Sequence, residues 1–358
     1  MKNTDWKFYT NSNDTWIAML DACKQAKYSI DFEQYIFEPG EIGNQFIAVL
    51  ITKAQQGVAV RLLCDAVGSY TLSTSNNLTE LTQAGVQVRF FNKIHPLRLH
   101  TIFSWFFRTH RKILVTDNEI CFSGGVGIHD DFKGWRDTHA SVRGEVAREV
   151  QRSFNELWLQ SSDMNIFSRI RRVRKRTKGT SFITNAPYIG KHFLYKEYLS
   201  ALRKSQRYAY FTTAYFIPSN AFIDALIKAA KRGVDVKIII PKASDIPSIN
   251  KASRYGLSKL IRNGVQIYLY TGGMIHTKTA AIDNVWATLG SSNLDNLSFR
   301  FNYESNFVSQ DPFFISTINQ HFIDDLKVSH HLSLEELRQR PLIDRVLELV
   351  LYPLRPIL

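Results

Sequence analysis

The sequence predicts an α/β protein built as two repeated lobes, and three observations carry that prediction. Segments of helical period alternate with strand-like runs along the chain, which implies sheets covered by helices. The order of these segments in the first half recurs in the second. The length of 358 residues exceeds what one hydrophobic core ordinarily serves, so two domains or a duplication are expected. A composition of 44% hydrophobic, 22% charged and 13% aromatic residues is that of a folded globular chain, and it excludes disordered, collagenous and coiled-coil classes.

Taken in order, an apolar stretch of helical period around Trp16 to Cys23 leads to the strand-like YSIDFEQYIF (28–37). A helix is expected from about Ile42 to Gln56; Gly57 then opens the β-rich VAVRLL, and GVQVRFF (85–91) reads as a further strand. The second half repeats the plan with a helix from Leu194, strand-like RYAYFTTAYF (207–216), a helix from Ser219, Gly233 opening VDVKIII, and GVQIYLY (264–270). The expected boundaries are a first lobe at 1–167, a basic linker at 168–180, a second lobe at 181–332 and an amphipathic tail at 333–358. Arg169, Arg171, Arg172, Arg174, Lys175, Arg176 and Lys178 crowd the linker. In the tail, Ser333 and Glu336 suit a capping box and Pro341 a helix start; PLIDRVLELVLYPL gathers Asp344, Arg345 and Glu348 on one side.

Forty-five Lys plus Arg against 32 Asp plus Glu give a net charge of +13, which favours a polyanionic partner, either nucleic acid or an anionic membrane. Cys23, Cys64 and Cys121 are odd in number and lack metal-type spacing, as expected of buried thiols in a reducing compartment. The amino terminus has no apolar signal core, and nowhere do about 18 apolar residues run together. Membrane contact is therefore expected from the surface.

The chemistry concentrates in a motif that occurs twice, His-x-Lys-x4-Asp: His110, Lys112 and Asp117 in the first half, His276, Lys278 and Asp283 in the second. One copy is weak evidence, but two in register within a duplicated chain are strong. Read as strands, HRKILVTD and HTKTAAID project His and Lys from one face. A small-residue turn follows each Asp: Gly124, Gly125, Val126 and Gly127 in the first half, Gly290, Ser291, Ser292 and Asn293 in the second. Such turns offer amides and hydroxyls to an anion. Asp137 and Glu304 follow their motifs at nearly equal distance and suit carboxylates that fix imidazole tautomers. Two imidazoles and two lysines suit a phosphodiester, one imidazole attacking phosphorus while the other moves protons and the lysines neutralise oxygens. No metal or cofactor is expected, because lysine is not a usual ligand and no zinc- or magnesium-type spacing occurs. His129 and His139 could line the first site; His330 and His331 read as solvent-exposed.

With these motifs the chain resembles the phospholipase D superfamily. HRKILVTDNEICFSGGVGI, GWRDTHASVRGEVAREVQRSFNELW and HTKTAAIDNVWATLGSSNLDNLSFRFNYESNF look, more closely, like the bacterial cardiolipin synthases, over residues from about 10 to the carboxyl end. The resemblance implies two phospholipase D-like α/β/α lobes related by pseudo-two-fold symmetry, with one active site at their interface. It implies His110 as nucleophile and His276 as general acid/base. Lys112, Lys278 and Asn293 would hold the phosphate with Ser291 and Ser292, and Gly124 and Gly125 would lend backbone amides. Asp117 and Asp283 would be structural supports, and Asp137 and Glu304 the partners of the imidazoles. One departure is Gly127, which stands as far after Lys112 as Asn293 does after Lys278. Another is that the amino-terminal membrane spans of many relatives are not seen, so attachment is expected from elsewhere. IHPLRLHTIFSWFFRTHRK (94–112) has no match in the second half and offers Trp105, Phe106 and Phe107 to a headgroup boundary, and the tail offers a second apolar surface.

The resulting expectation is a peripheral phosphatidyltransferase on the cytoplasmic face of a bacterial membrane. Its partners would be phosphatidylglycerol and cardiolipin, with no nucleic acid and no obligate protein partner. With water as acceptor the same site would give a phospholipase D, and with a nucleic-acid phosphodiester a nuclease. The aromatic insertion and the apolar tail favour lipid.

Overall fold

The computed structural model describes residues 5–93, 107–161, 179–187, 192–246, 253–254 and 256–340. The first lobe contributes β1 (Trp6–Asn11), β2 (Ser29–Gln34), β3 (Ala59–Asp65), β4 (Gln87–Phe91), β5 (Ile113–Thr116), β6 (Ile120–Gly124) and β7 (Arg136–Arg143). Its sheet order is β1-β7-β6-β5-β2-β3-β4, with β2, β3 and β4 parallel and the remaining pairs antiparallel. The second lobe contributes β8 (Thr180–Asn185), β9 (Tyr208–Thr212), β10 (Phe216–Ile217), β11 (Asp235–Pro241), β12 (Gln266–Tyr270), β13 (Thr279–Ile282), β14 (Trp286–Gly290), β15 (Leu294–Asp295), β16 (Glu304–Ser309) and β17 (Ser329–His331). Its main sheet runs β17-β12-β11-β9-β13-β14-β16-β8, the same plan with one edge strand added. Two repeated α/β lobes are thus present. The anticipated linker ends earlier than 180, because Thr180 already pairs with Ser309 in the second sheet.

Helices Ser12–Gln25 and Glu41–Gln55 bury Trp16, Met19, Phe46 and Leu50 against the outer face of the first sheet. Helices Phe193–Lys204 and Asn220–Lys231 do the same for the second with Leu194, Tyr198, Phe222 and Leu226. Each boundary has a local cause: Asn11 and Ser219 cap helices through their side chains, and Gly57 and Gly233 at φ +87° and +88° turn the chain into the next strand. Between the lobes a shared core joins Ile113, Val115, Cys121 and Val142 to Ala281, Leu289, Phe307 and Phe314. Helices Glu145–Gln160 and Pro312–Lys327 pack into it.

The two motifs sit differently from the expectation in one respect. β5 and β13 begin just after the lysines, so His110, Lys112, His276 and Lys278 lie on the extended segments that lead into them. Asp117 and Asp283 lie at the far ends, in Asp-Asn hairpin turns whose residues Asp117, Asn118, Asp283 and Asn284 all have φ between 54° and 58°. The three cysteines are buried and free, and burial raises the Cys23 thiol to about 12. The Ser333–Glu336 capping box closes a short helix, Leu334–Arg338, whose Leu337 enters the second lobe's core. Pro341 and the apolar run after it lie outside the described residues, as do Trp105, Phe106 and the arginine cluster. Among the described residues no helix is long and apolar enough to cross a membrane.

Candidate active site

The site forms where each lobe's motif segment is stitched to the other lobe. The His110 N–H donates to the Tyr303 carbonyl at 2.9 Å, and the Tyr303 N–H donates to Arg108 at 2.9 Å. The second motif mirrors this: His276 N–H donates to the Arg136 carbonyl at 2.7 Å, and Arg136 N–H to Met274 at 3.0 Å. Tyr303 and Arg136 immediately precede the two acids. Each acid therefore reaches the imidazole of the opposite motif. Glu304 lies 3.0 and 3.1 Å from His110 Nδ1, and Asp137 lies 2.8 Å from His276 Nδ1. Spacing along the chain does not say which carboxylate serves which imidazole; the structure makes the pairing reciprocal.

Both acids are buried, at 0% and 2% exposure. Burial opposes ionisation of Asp137, but Lys278, His276 and the Thr138 N–H outweigh it and hold its carboxyl below the usual range. A carboxylate at Nδ1 keeps the proton on that nitrogen and leaves Nε2 for chemistry. Burial lowers His110 to about 4 against the pull of Glu304, and burial with Lys278 lowers His276, so both imidazoles are neutral near pH 7. Lys112 Nζ donates to the His110 carbonyl at 2.7 Å, and Lys278 Nζ to the His276 carbonyl. Burial lowers these ammonium groups to about 7 and about 8. Each pair also feels the other's charge, Lys278 lowering His110 and Lys112 lowering His276.

Several anticipated site residues serve the fold instead. The Asp117 carboxylate accepts from the amides of Lys27, Tyr28 and Ser29, and Asp283 from those of Gln206, Arg207 and Tyr208. Both carboxylates pin their hairpins to neighbouring backbone. The Gly125 amide is not available to a phosphate, because it donates to the Thr138 carbonyl at 3.1 Å, and Gly124 lies in β6 paired with His139. Gly125 is glycine because a Cβ there would overlap the Asp137 carboxylate. Ser291, its counterpart, spends its hydroxyl on Glu304 at 2.5 Å. The Ser292 amide donates to Asn306 Oδ1 at 3.2 Å, and the Val126 amide to His139 Nδ1 at 3.4 Å. His139 is therefore a fully buried support beneath the turn and does not line the site. His129 pairs with Glu38, and His330 with Glu336. Asn293 is 2% exposed with Oδ1 unpartnered among the described residues, so its carboxamide is not used up by the fold. Phe107 is half-buried and its ring stacks on Phe301 at 6.5 Å.

The rings around the imidazoles were not legible in the sequence. Tyr35 stands 5.0 Å from His110; Trp135, Tyr215 and Phe132 stand 5.6, 6.2 and 6.3 Å from His276. Asp295 was also missed: burial raises it to about 7, and it is held by the Ser298 amide at 2.6 Å within reach of Lys278. Its carboxyl has no spacing signal, since it belongs to the two-residue strand β15.

Paired His-Lys segments meeting between two lobes of one plan define the phospholipase D class of duplicated α/β proteins. The model of the family described as "Cardiolipin synthase, PLD-like domain" matches residues 19–158 and 198–326, and the chain belongs to that family. It is 34% identical to a cardiolipin synthase of Halalkalibacterium halodurans and 32% identical to one of Alkalihalophilus pseudofirmus, each match covering 99% of this chain and 73% of the relative. Among solved structures, the phosphatidylserine synthase of Haemophilus influenzae shares the fold with a TM-score of 0.80 at 15% identity, covering 99% of this chain and 95% of that one. The polyphosphate kinase of Porphyromonas gingivalis aligns with a TM-score of 0.63 at 13% identity, over 96% of this chain and 52% of its own.

Proposed function

We propose that the protein is a phosphatidyltransferase that joins two phosphatidylglycerol molecules into cardiolipin and glycerol. The observation that carries this reading is the reciprocal pair of imidazole–carboxylate contacts, each made across the lobes, with a buried lysine beside each. His110, neutral and with its Nδ1 proton held by Glu304, presents Nε2 to phosphorus. The P–Nε2 bond forms as the bond to the glycerol oxygen breaks, and His276 Nε2–H supplies that oxygen's proton. The arriving phosphate anion, with the Asp137 carboxylate on the other side, offsets the burial that otherwise keeps His276 neutral. His276 then takes the proton of the incoming lipid hydroxyl, that oxygen attacks phosphorus, and the bond to His110 breaks. Lys112, Lys278 and the Asn293 carboxamide hold the non-bridging oxygens.

The protein would work as a peripheral protein on the cytoplasmic face, drawn by its charge of +13 to anionic headgroups and anchored by Trp105, Phe106 and Phe107 and by the apolar tail. Purified protein on phosphatidylglycerol vesicles, followed by mass spectrometry, tests the reading. Cardiolipin and glycerol in equal amounts are expected. Phosphatidic acid alone would make the protein a phospholipase D, and the absence of both lipids would reject phosphatidyl chemistry.

A further inference from the structure

The two halves of the site are not equivalent, and the difference lies beside His276. Where the second lobe has Asn293, the first has Gly127, and a Cβ on Gly127 would stand 3.0 Å from the Phe132 ring. The glycine is what admits that ring. Phe132 lies nearly parallel to His276, at 18° and 6.3 Å, and packs on Trp135 at 4.5 Å, which itself stands 5.6 Å from the imidazole. The residue as far beyond Asn293 as Phe132 is beyond Gly127 is Ser298, whose hydroxyl accepts from the Asn293 amide at 3.2 Å, so the second lobe has a hydroxyl where the first has a ring. The segment bearing the two rings is fixed: the Asp130 carboxylate caps helix Glu41–Gln55 through the Glu41 and Ile42 amides at 2.7 and 2.9 Å. Asn13 Oδ1 accepts from the Gly134 amide at 3.0 Å, and the Ser12 amide donates to the Trp135 carbonyl at 3.2 Å. The wall is therefore in place before substrate arrives, and it sets two apolar rings within 5.6–6.3 Å of the imidazole assigned the acid/base role.

We propose that Phe132 and Trp135 determine acceptor specificity, excluding water beside His276 so that the phosphatidyl group passes to a lipid hydroxyl. The inference rests on the phosphatidyltransferase reading and deepens it. In either outcome the P–Nε2 bond to His110 breaks, a P–O bond forms, and His276 takes the attacking oxygen's proton. A lipid alcohol gives cardiolipin; water gives phosphatidic acid. An alcohol carried on an apolar glycerolipid gains from contact with the rings, whereas water gains nothing there and loses hydrogen bonds.

The test is the ratio of phosphatidic acid to cardiolipin made from phosphatidylglycerol vesicles by wild type, Phe132→Ala and Trp135→Ala. The ratio should rise roughly fivefold or more in each variant. Should an alanine variant fail to fold, Phe132→Leu and Trp135→Tyr open the wall or make it polar at smaller cost in volume, and must move the ratio the same way. Equal loss of both products, or an unchanged ratio in the folded variants, would overturn the inference. A wild type that makes neither lipid would instead overturn the reading on which it rests.

Discussion

In the proposed mechanism the chemistry turns on Glu304 and Asp137, because each holds Nδ1 of an imidazole supplied by the other motif. His110→Ala and His276→Ala should each abolish turnover while leaving the circular dichroism and thermal midpoint near wild type, since residues that act as a unit fail singly. Near-normal turnover by either would contradict the two-histidine mechanism. The lysines predict a pH dependence. Their charged forms are the ones that hold phosphate, and burial brings Lys112 to about 7 and Lys278 to about 8, so charge is lost as pH rises through those values. The profile of kcat/KM, which reports the free enzyme, should fall on its alkaline side from about pH 7. The limb in kcat should lie higher, because a bound phosphate anion restores the ammonium form; a kcat/KM flat to pH 9 would contradict this. The histidines, lysines and acids stood out in the sequence because the duplication repeats their spacing, whereas Asn293, with Gly127 in the matching place, stood out only through the family resemblance. Phe132, Trp135 and Tyr215 were not, because rings without a repeat partner look like core residues until the fold aims them at an imidazole.

The hairpins β5–β6 and β13–β14 carry the motifs, and their Asp-Asn turns decide how firmly. Three backbone amides converge on each turn carboxylate, tying the hairpin to the start of the neighbouring antiparallel strand, β2 or β9. Asp117→Ala and Asp283→Ala should each cost about 1–2 kcal/mol of stability, as loss of a helix-capping carboxylate does, with kcat within about threefold of wild type at a permissive temperature. Thermal melts beside initial rates check this, and a large loss of kcat without destabilisation would make these aspartates catalytic after all. At this scale the periodicities placed the outer helices and the central strands well, because each buries one face. The sequence did not disclose β1, β8 or helix Glu145–Gln160. β1 and β8 pair only with strands distant along the chain, and the helix buries Gln151 against Asp31 of β2 and Glu149 against the Phe182 amide of the second lobe, contacts that exist only in the fold.

The whole molecule is held together at the place where it acts. Arg136 forks onto Asp325 of helix Pro312–Lys327 at 2.7 and 2.8 Å and reaches Thr277 at 3.2 Å, while its own carbonyl fixes His276. Acid should loosen this assembly. His110, His276 and His139 have folded-state values lowered by burial, to about 4 for His110 and about 3 for His139, so the unfolded chain binds protons below about 6.5 that the native state does not yet take up. Stability contributed by these groups is present above that window and is lost as pH falls through it. A thermal midpoint that drops between pH 7 and 5 is expected, and one that stays level would contradict the assigned neutrality. The pseudo-two-fold plan was legible at this scale from the repeated motifs; the exchange of carboxylates between them was not, since it exists only once the lobes meet. The most direct test of the central claim is peptide mass spectrometry of wild-type protein mixed with phosphatidylglycerol vesicles and quenched rapidly in denaturant during turnover, with His110→Ala treated alongside. The account predicts a phosphatidyl group on the peptide carrying His110 in the wild type and no adduct in His110→Ala. An adduct on any other residue, or cardiolipin formed with no adduct during turnover, would contradict it.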